Sequence, residues 1–93
     1  MRIVIAGCGR VGRQVALLLS QLGEDVSVVD SRPEAAETLG KSFDGTFHTG
    51  LVYDVDVLEE AGIRDADAFL AVTNSDNANL MAVQLAKEVF EVP

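Results

Sequence analysis

Arg2-Ile3-Val4-Ile5-Ala6-Gly7-Cys8-Gly9-Arg10-Val11-Gly12 is the stretch on which the fold turns. Residues 2–6 are a short, β-branched apolar run, which suits a strand buried on both faces, as in a parallel sheet. Three glycines follow. Then Val11, Val15, Leu18, Leu19 and Leu22 recur at helical spacing, and Gly23 stands where a helix C-cap belongs. A G-x-G-x-x-G pattern alone is weak; here a strand precedes it and a helix follows it. Gly7 can take the tight turn. Gly9, lacking a Cβ, lets a pyrophosphate approach the backbone, and Gly12 lets the helix pack closely on the strand. The N–H groups at the helix start, with the helix dipole behind them, favour an anion.

Working outward, residues 25–30 (DVSVVD) read as a second strand that ends on Asp30, eighteen residues after Gly12. A carboxylate there can accept hydrogen bonds from both hydroxyls of an adenosine ribose. It would repel a 2′-phosphate, so NAD or another unphosphorylated ribose is expected in preference to NADP. Ser31 is expected to cap a second helix, with Pro33 in its first turn and Gly40 at its end. TFHT, 46–49, is a weak third strand. Asp54 or Asp56 opens a short helix closed by Gly62. DAFLAVT, 67–73, is a fourth strand, and Ser75 caps a last helix reaching about Glu91.

Strands alternating with helices predict an α/β fold: a Rossmann-like parallel sheet, strand order 3-2-1-4, with right-handed crossovers. The chain reads as one domain, 1–93. The full dinucleotide fold has six strands, so the C-terminal pair is absent. The fourth strand would be an open edge, which implies either a C-terminally truncated domain or cover from another chain. In the last helix Met81, Ala82, Val83, Leu85, Ala86, Val89 and Phe90 fill an arc wider than one sheet contact needs. A second apolar contact, with another subunit or the missing strands, is expected there.

Composition narrows the function. Hydrophobic residues make up 48% and charged residues 24%, an ordinary globular balance. No run is long enough to span a membrane, and MRIVIAG is too short for a signal peptide. A lone cysteine gives no disulfide framework and fits a cytoplasmic setting. The formal net charge of −8 repels nucleic acid and anionic lipid. No nucleic-acid partner and no direct membrane insertion are expected. The acidic surface is either solubilising or meets a basic partner.

Other residues carry two readings each. Arg10 either reaches phosphate or faces solvent, and Arg13, one step into the helix, reads as exposed. Arg32 can stack on adenine through its flat guanidinium. Cys8 is a small space-filler or, at a helix N-terminus, an activated thiol. Thr73-Asn74-Ser75-Asp76-Asn77-Ala78-Asn79 follows the fourth strand, at the sheet edge where ligands bind. Asn79 falls inside the apolar arc and must find partners, in a capping network, a ligand or a facing subunit. His48 stands alone. No nucleophile–base pair and no metal-ligand spacing is present, so catalytic and metal residues are read as none.

MRIVIAGCGRVGRQVALLL (1–19), VSVVDSRPE (26–34) and VLEEAGIRDADAFLAVTNSDNANLMAVQLAKEVF (57–90) resemble the N-terminal nucleotide-binding domain of Trk/Ktr potassium-uptake regulatory proteins, also called RCK or KTN domains. The resemblance spans essentially the whole chain and is most specific from Ala61 to Asn79. It implies a regulator, not an enzyme. Such a domain forms a homodimer or larger ring on the cytoplasmic side of a membrane-embedded potassium transport subunit, and bound NAD(H), ATP or ADP changes its shape. Carried over, Gly7, Gly9 and Gly12, with Cys8, Arg10 and Val11, match the phosphate loop. Asp30, followed by Ser31 and Arg32, matches the ribose acid. Thr73, Asp76 and Asn79, with Asn74 between them, match a T-x-x-D-x-x-N pattern near the ligand edge. One departure stands out. Many members read Gly-Asp-Ala-Thr-Asp after the third strand, the first acid lying by the adenine; here the segment is Gly50-Leu51-Val52-Tyr53-Asp54. That leaves backbone contacts from Leu51 and Val52 to hold the base, and leaves the choice among NAD(H), ATP, ADP and AMP open. Beginning at the first strand, the chain resembles a separate soluble subunit. The expected function is a nucleotide-sensing regulatory subunit of a potassium transporter. The alternatives are the cofactor domain of an NAD-dependent dehydrogenase and a scaffold that binds nothing.

Overall fold

A computed structural model describes all residues, 1–93. Strand β1 (Arg2–Ala6) leads into helix α1 (Arg10–Gln21), then β2 (Asp25–Asp30), α2 (Ala35–Leu39), β3 (Thr46–Thr49) and α3 (Val55–Glu60). A 3-10 turn (Ile63–Asp65), β4 (Ala68–Ala71) and α4 (Asp76–Glu88) complete the chain. The four strands form one parallel sheet in the order β3-β2-β1-β4. This is the Rossmann-like arrangement expected from the alternation. Chain order reverses at β1, so its carboxyl end is the switch point at which open α/β sheets bind ligands.

The apolar run of β1 divides cleanly by alternation. Ile3 and Ile5 face α1 and α2, where they join Val26, Val28, Ala16, Ala35 and Leu39. Val4 and Ala6 face the other layer and pack with Val29, Leu58, Ile63, Ala82, Ala86 and Phe90. Ile5, Val4 and Val28 are fully buried, as a strand covered on both faces requires.

Three local expectations are corrected. The face of α1 that meets the sheet is Gly12 and Ala16; Val15 and Leu19 are half-buried, while Val11, Leu18 and Leu22 are exposed. The helix lies too close to the sheet for large side chains to point straight at it. Ser31 caps nothing: α2 begins at Ala35 after Glu34, with no side-chain cap. The Asp30 carboxylate instead accepts the Arg32 N–H at 2.9 Å, an Asx turn that directs the chain out of β2. Finally, α4 stops at Glu88, short of Glu91. The Val89 and Phe90 N–H groups both donate to the Leu85 carbonyl, Glu91 takes a left-handed φ of 56°, and Val92 N–H reaches back to Ala86 O at 2.9 Å. Phe90 and Val92 are both buried, so core packing bends the chain off the helix axis.

Other ends follow the sequence. Gly23, at φ 86°, closes α1 in a Schellman motif: its N–H donates to Ser20 O, and Glu24 N–H donates to Leu19 O. Asp54 caps α3 by accepting from Asp56 N–H at 2.9 Å. Ser75 caps α4 by accepting from Ala78 N–H at 3.2 Å. The wide apolar arc of α4 is divided. Ala82, Ala86 and Phe90 are buried within the chain, whereas Met81 and Val89 stay exposed, as does Leu80 outside the arc.

Candidate functional site

The carboxyl ends of β1, β2 and β4 enclose a concavity of about 550 Å³, within the usual size of small-molecule sites. Cys8, Gly9, Arg10 and Val11 come from the glycine turn, Asp30, Ser31 and Arg32 from the end of β2, and Thr73 and Asn74 from beyond β4. Val72 also lines it, which the sequence reading did not single out. It read as one more β-branched strand residue.

The glycine turn is shaped by contact. Gly7 has φ 117°, a region L side chains rarely adopt, and its N–H donates to Val29 O at 2.7 Å. A Cβ on Gly12 would collide with the Gly7 carbonyl oxygen. Gly9 meets nothing within 4 Å of where its Cβ would stand, so that side of the turn is open to a ligand. The first intrahelical bond of α1 runs from Arg13 N–H to Gly9 O at 2.9 Å. The N–H groups of Arg10, Val11 and Gly12 are therefore unpaired within the helix and mark its positive end.

Asp30 is buried, and it joins three segments. Its Oδ2 accepts the Cys8 N–H at 2.7 Å, its Oδ1 accepts the Arg32 N–H, and its backbone carbonyl accepts the Gly50 N–H at 3.0 Å. The Arg32 guanidinium closes on the same carboxylate, Nε to Oδ1 at 3.1 Å. That group bonds to Asp30 while lining the concavity. Burial pushes the Asp30 carboxyl up, but donation from the Arg32 side chain, the two backbone N–H groups and the Arg32 charge outweigh it. The net position is below the ordinary carboxylate value.

Cys8 is buried. Burial raises its thiol pKa, only partly offset by the contact with Thr38. Its side chain fills space against Ala35 O and Thr38 Oγ1. Asn79 finds its partners within the chain. Its Oδ1 accepts from Thr73 N–H at 2.9 Å and from Thr73 Oγ1 at 2.6 Å, and its Nδ2 donates to Thr73 O at 3.1 Å. It holds the loop after β4 and does not line the concavity.

The remaining positions lie apart. Gly50 and Leu51 follow β3 and do not line the concavity; Gly50 is tied to it only through the Asp30 carbonyl, and Leu51 is 48% exposed. Val52 is buried in the core with Leu58, so its side chain is structural. His48 pairs only with Thr46. No group of three or more His, Cys, Asp or Glu side chains converges as a metal site would require, and no helix is long and apolar enough to cross a membrane.

Against known proteins, the TrkA-N domain model matches residues 3–93. A Trk system potassium uptake protein TrkA of Streptomyces coelicolor is 49% identical over 92 residues, covering 99% of this chain and 41% of the relative. The Trk system potassium uptake protein TrkA of Vibrio alginolyticus is 38% identical over 93 residues, 100% of this chain and 20% of its own length. This chain thus spans less than half of either relative. Among solved structures, a Shewanella denitrificans Kef CTD in AMP bound form superposes with a TM-score of 0.84 at 29% identity, covering 99% of this chain and 55% of that one. With a match that runs from the first strand to the last residue, the chain belongs to the TrkA-N domain family.

Proposed function

We propose that this chain is the adenine-nucleotide-sensing part of a regulatory subunit of a potassium uptake system, and that its ligand sits in the concavity at the end of β1. The observation that carries the reading is the convergence of an open glycine turn, an unpaired helix start and a buried, ionised Asp30 on one site. The N–H groups of Arg10, Val11 and Gly12 would receive phosphate, Asp30 the ribose hydroxyls, and the backbone at Leu51 and Val52 the base. NAD(H) is the leading ligand, with ATP, ADP and AMP as the others; the AMP-bound Kef CTD of the same fold supports the adenosine half of this assignment. The domain works without catalysis: a ligand that binds two shapes unequally shifts their balance. The TrkA names of the relatives support the regulatory reading over a dehydrogenase cofactor domain.

The same relatives support a membrane-embedded transport partner and a place at the inner face of the membrane. The exposed Leu80, Met81 and Val89, and Leu18 and Leu22 on α1, support self-association into a dimer or ring, or cover by further chain. Calorimetric titration with NAD, NADH, ATP, ADP and AMP tests the core of the proposal. Saturable binding of at least one, lost in Asp30→Ala, is expected; absence of binding by all five refutes it.

A further inference from the structure

Beside the main concavity lies a second, of about 320 Å³, between the first turn of α1 and the start of α2. Arg10, Arg13 and Arg32 all line it, with Thr38 on the α2 side and Glu34 as its one acid. The chain has seven basic residues and a net charge of −8, so three of the seven gather at this one hollow. Arg10 and Arg13 stand three apart on one helix face, which brings them side by side. Neither forms an ion pair or side-chain hydrogen bond, whereas Arg2, Arg32 and Arg64 all have acidic partners.

We propose that this hollow is a phosphate subsite next to the ribose, taking a phosphomonoester carried on the ribose 2′ position of the nucleotide. The inference rests on the nucleotide reading above and extends its ligand class. The two concavities share Cys8, Gly9, Arg10 and Arg32, so a ribose held at Asp30 has the arginine hollow as its immediate neighbour. From sequence, Asp30 is expected to repel a 2′-phosphate. In the structure the Asp30 charge is partly offset. Each Asp30 oxygen already accepts a backbone N–H, and the Arg32 guanidinium balances its charge. Three guanidiniums then face Asp30 and Glu34, leaving a net positive hollow. A phosphomonoester carries about −1.5 to −2 at neutral pH, and planar guanidiniums match phosphate oxygens in pairs.

The test is calorimetric titration of the chain with 5′-AMP, adenosine 2′,5′-bisphosphate and inorganic phosphate, repeated on Arg13→Gln and Arg13→Lys. Melting temperatures of both variants verify folding. The bisphosphate is expected to bind at least as tightly as AMP. Arg13→Gln should weaken the bisphosphate about tenfold, the scale of one charged hydrogen bond, and leave AMP within about twofold, while Arg13→Lys recovers part of the loss. Binding of AMP with the bisphosphate more than about tenfold weaker overturns the subsite alone, as does an equal effect of Arg13→Gln on both ligands. Inorganic phosphate binding as tightly as the bisphosphate, with the same dependence on Arg13, overturns the ribose attachment. No binding by either nucleotide overturns the nucleotide reading together with the subsite.

Discussion

The Cys8 backbone N–H donates to the Asp30 Oδ2 at 2.7 Å, tying the turn after β1 to the end of β2 across 22 residues of sequence. That bond makes Asp30 a structural residue as well as the proposed ribose acceptor. Its remaining donors come from Arg32, one from the backbone and two from the side chain. Any ribose that binds Asp30 therefore enters a carboxylate already partly satisfied by the protein.

Asp30→Asn should change the acid limb of stability. The folded pKa of Asp30 lies below its value in the unfolded chain, about 3.9. Its stabilisation is thus complete above about pH 4 and is lost as pH falls through the folded value. Urea unfolding of wild type and Asp30→Asn between neutral pH and pH 2 should give curves that converge in acid. A gap independent of pH would contradict this.

The Asp30–Arg32 ion pair should contribute modestly, because the Arg32 side chain is 57% exposed. A double-mutant cycle with Asp30→Asn and Arg32→Gln is expected to give a coupling of at most about 1 kcal/mol. A coupling several times larger would mean the pair is far better shielded than its exposure indicates.

Gly12→Ala should destabilise the fold by about 1–3 kcal/mol. The new methyl meets the backbone carbonyl of Gly7, which no rotamer change can relieve. Chemical unfolding checks this. Gly9→Ala, in open space, should leave stability nearly unchanged while weakening nucleotide binding.

Asn79→Ala should cost about 1–3 kcal/mol, because it strips the partners of the Thr73 N–H and carbonyl together. Asn79→Asp, which keeps the acceptor and loses the donor, should fall between wild type and Ala. Equal stability of all three by urea unfolding would show that solvent replaces the amide.

Leu51→Asp should strengthen AMP binding by about threefold or more, the scale of one modest hydrogen bond. It places an acid where the family resemblance implies one beside the adenine. Leu51 is largely exposed, so little folding stability should be lost. An unchanged or weaker affinity by calorimetry would place the base elsewhere.

The parts of this fold that could be read from sequence are those where local chemistry and global packing agree. The apolar run of β1, the turn at Gly7, the Gly23 cap and the Ser75 cap each need one residue type at one place, and each is there. The parallel sheet followed from the alternation of elements, and its strand order from the dinucleotide-type glycine turn. Misreadings arose where distant contacts override a local preference. Leu18 and Leu22 have the spacing of a buried face, yet Gly12 and Ala16 occupy it because α1 approaches so closely. Ser31 is a good cap in isolation, but Asp30 already turns the chain. Glu91 belongs to a helix by propensity, but burial of Phe90 and Val92 ends the helix earlier. The arginine hollow was illegible for the same reason: positions 10, 13 and 32 come together only once β1 and β2 are paired.

The contact between Gly12 and the Gly7 carbonyl fixes which parts of the site are free to vary. The atoms that present the anion-receiving turn are also those that seat α1 on the sheet, so neither job can be altered without disturbing the other. Diversification of ligand choice then falls to the rim. Arg10, Arg13 and Asn74 line it at positions outside both core clusters, and any of them can be exchanged without reopening the helix–strand seam. A scaffold divided in this way can acquire a new ligand by single surface substitutions while its folding problem stays solved.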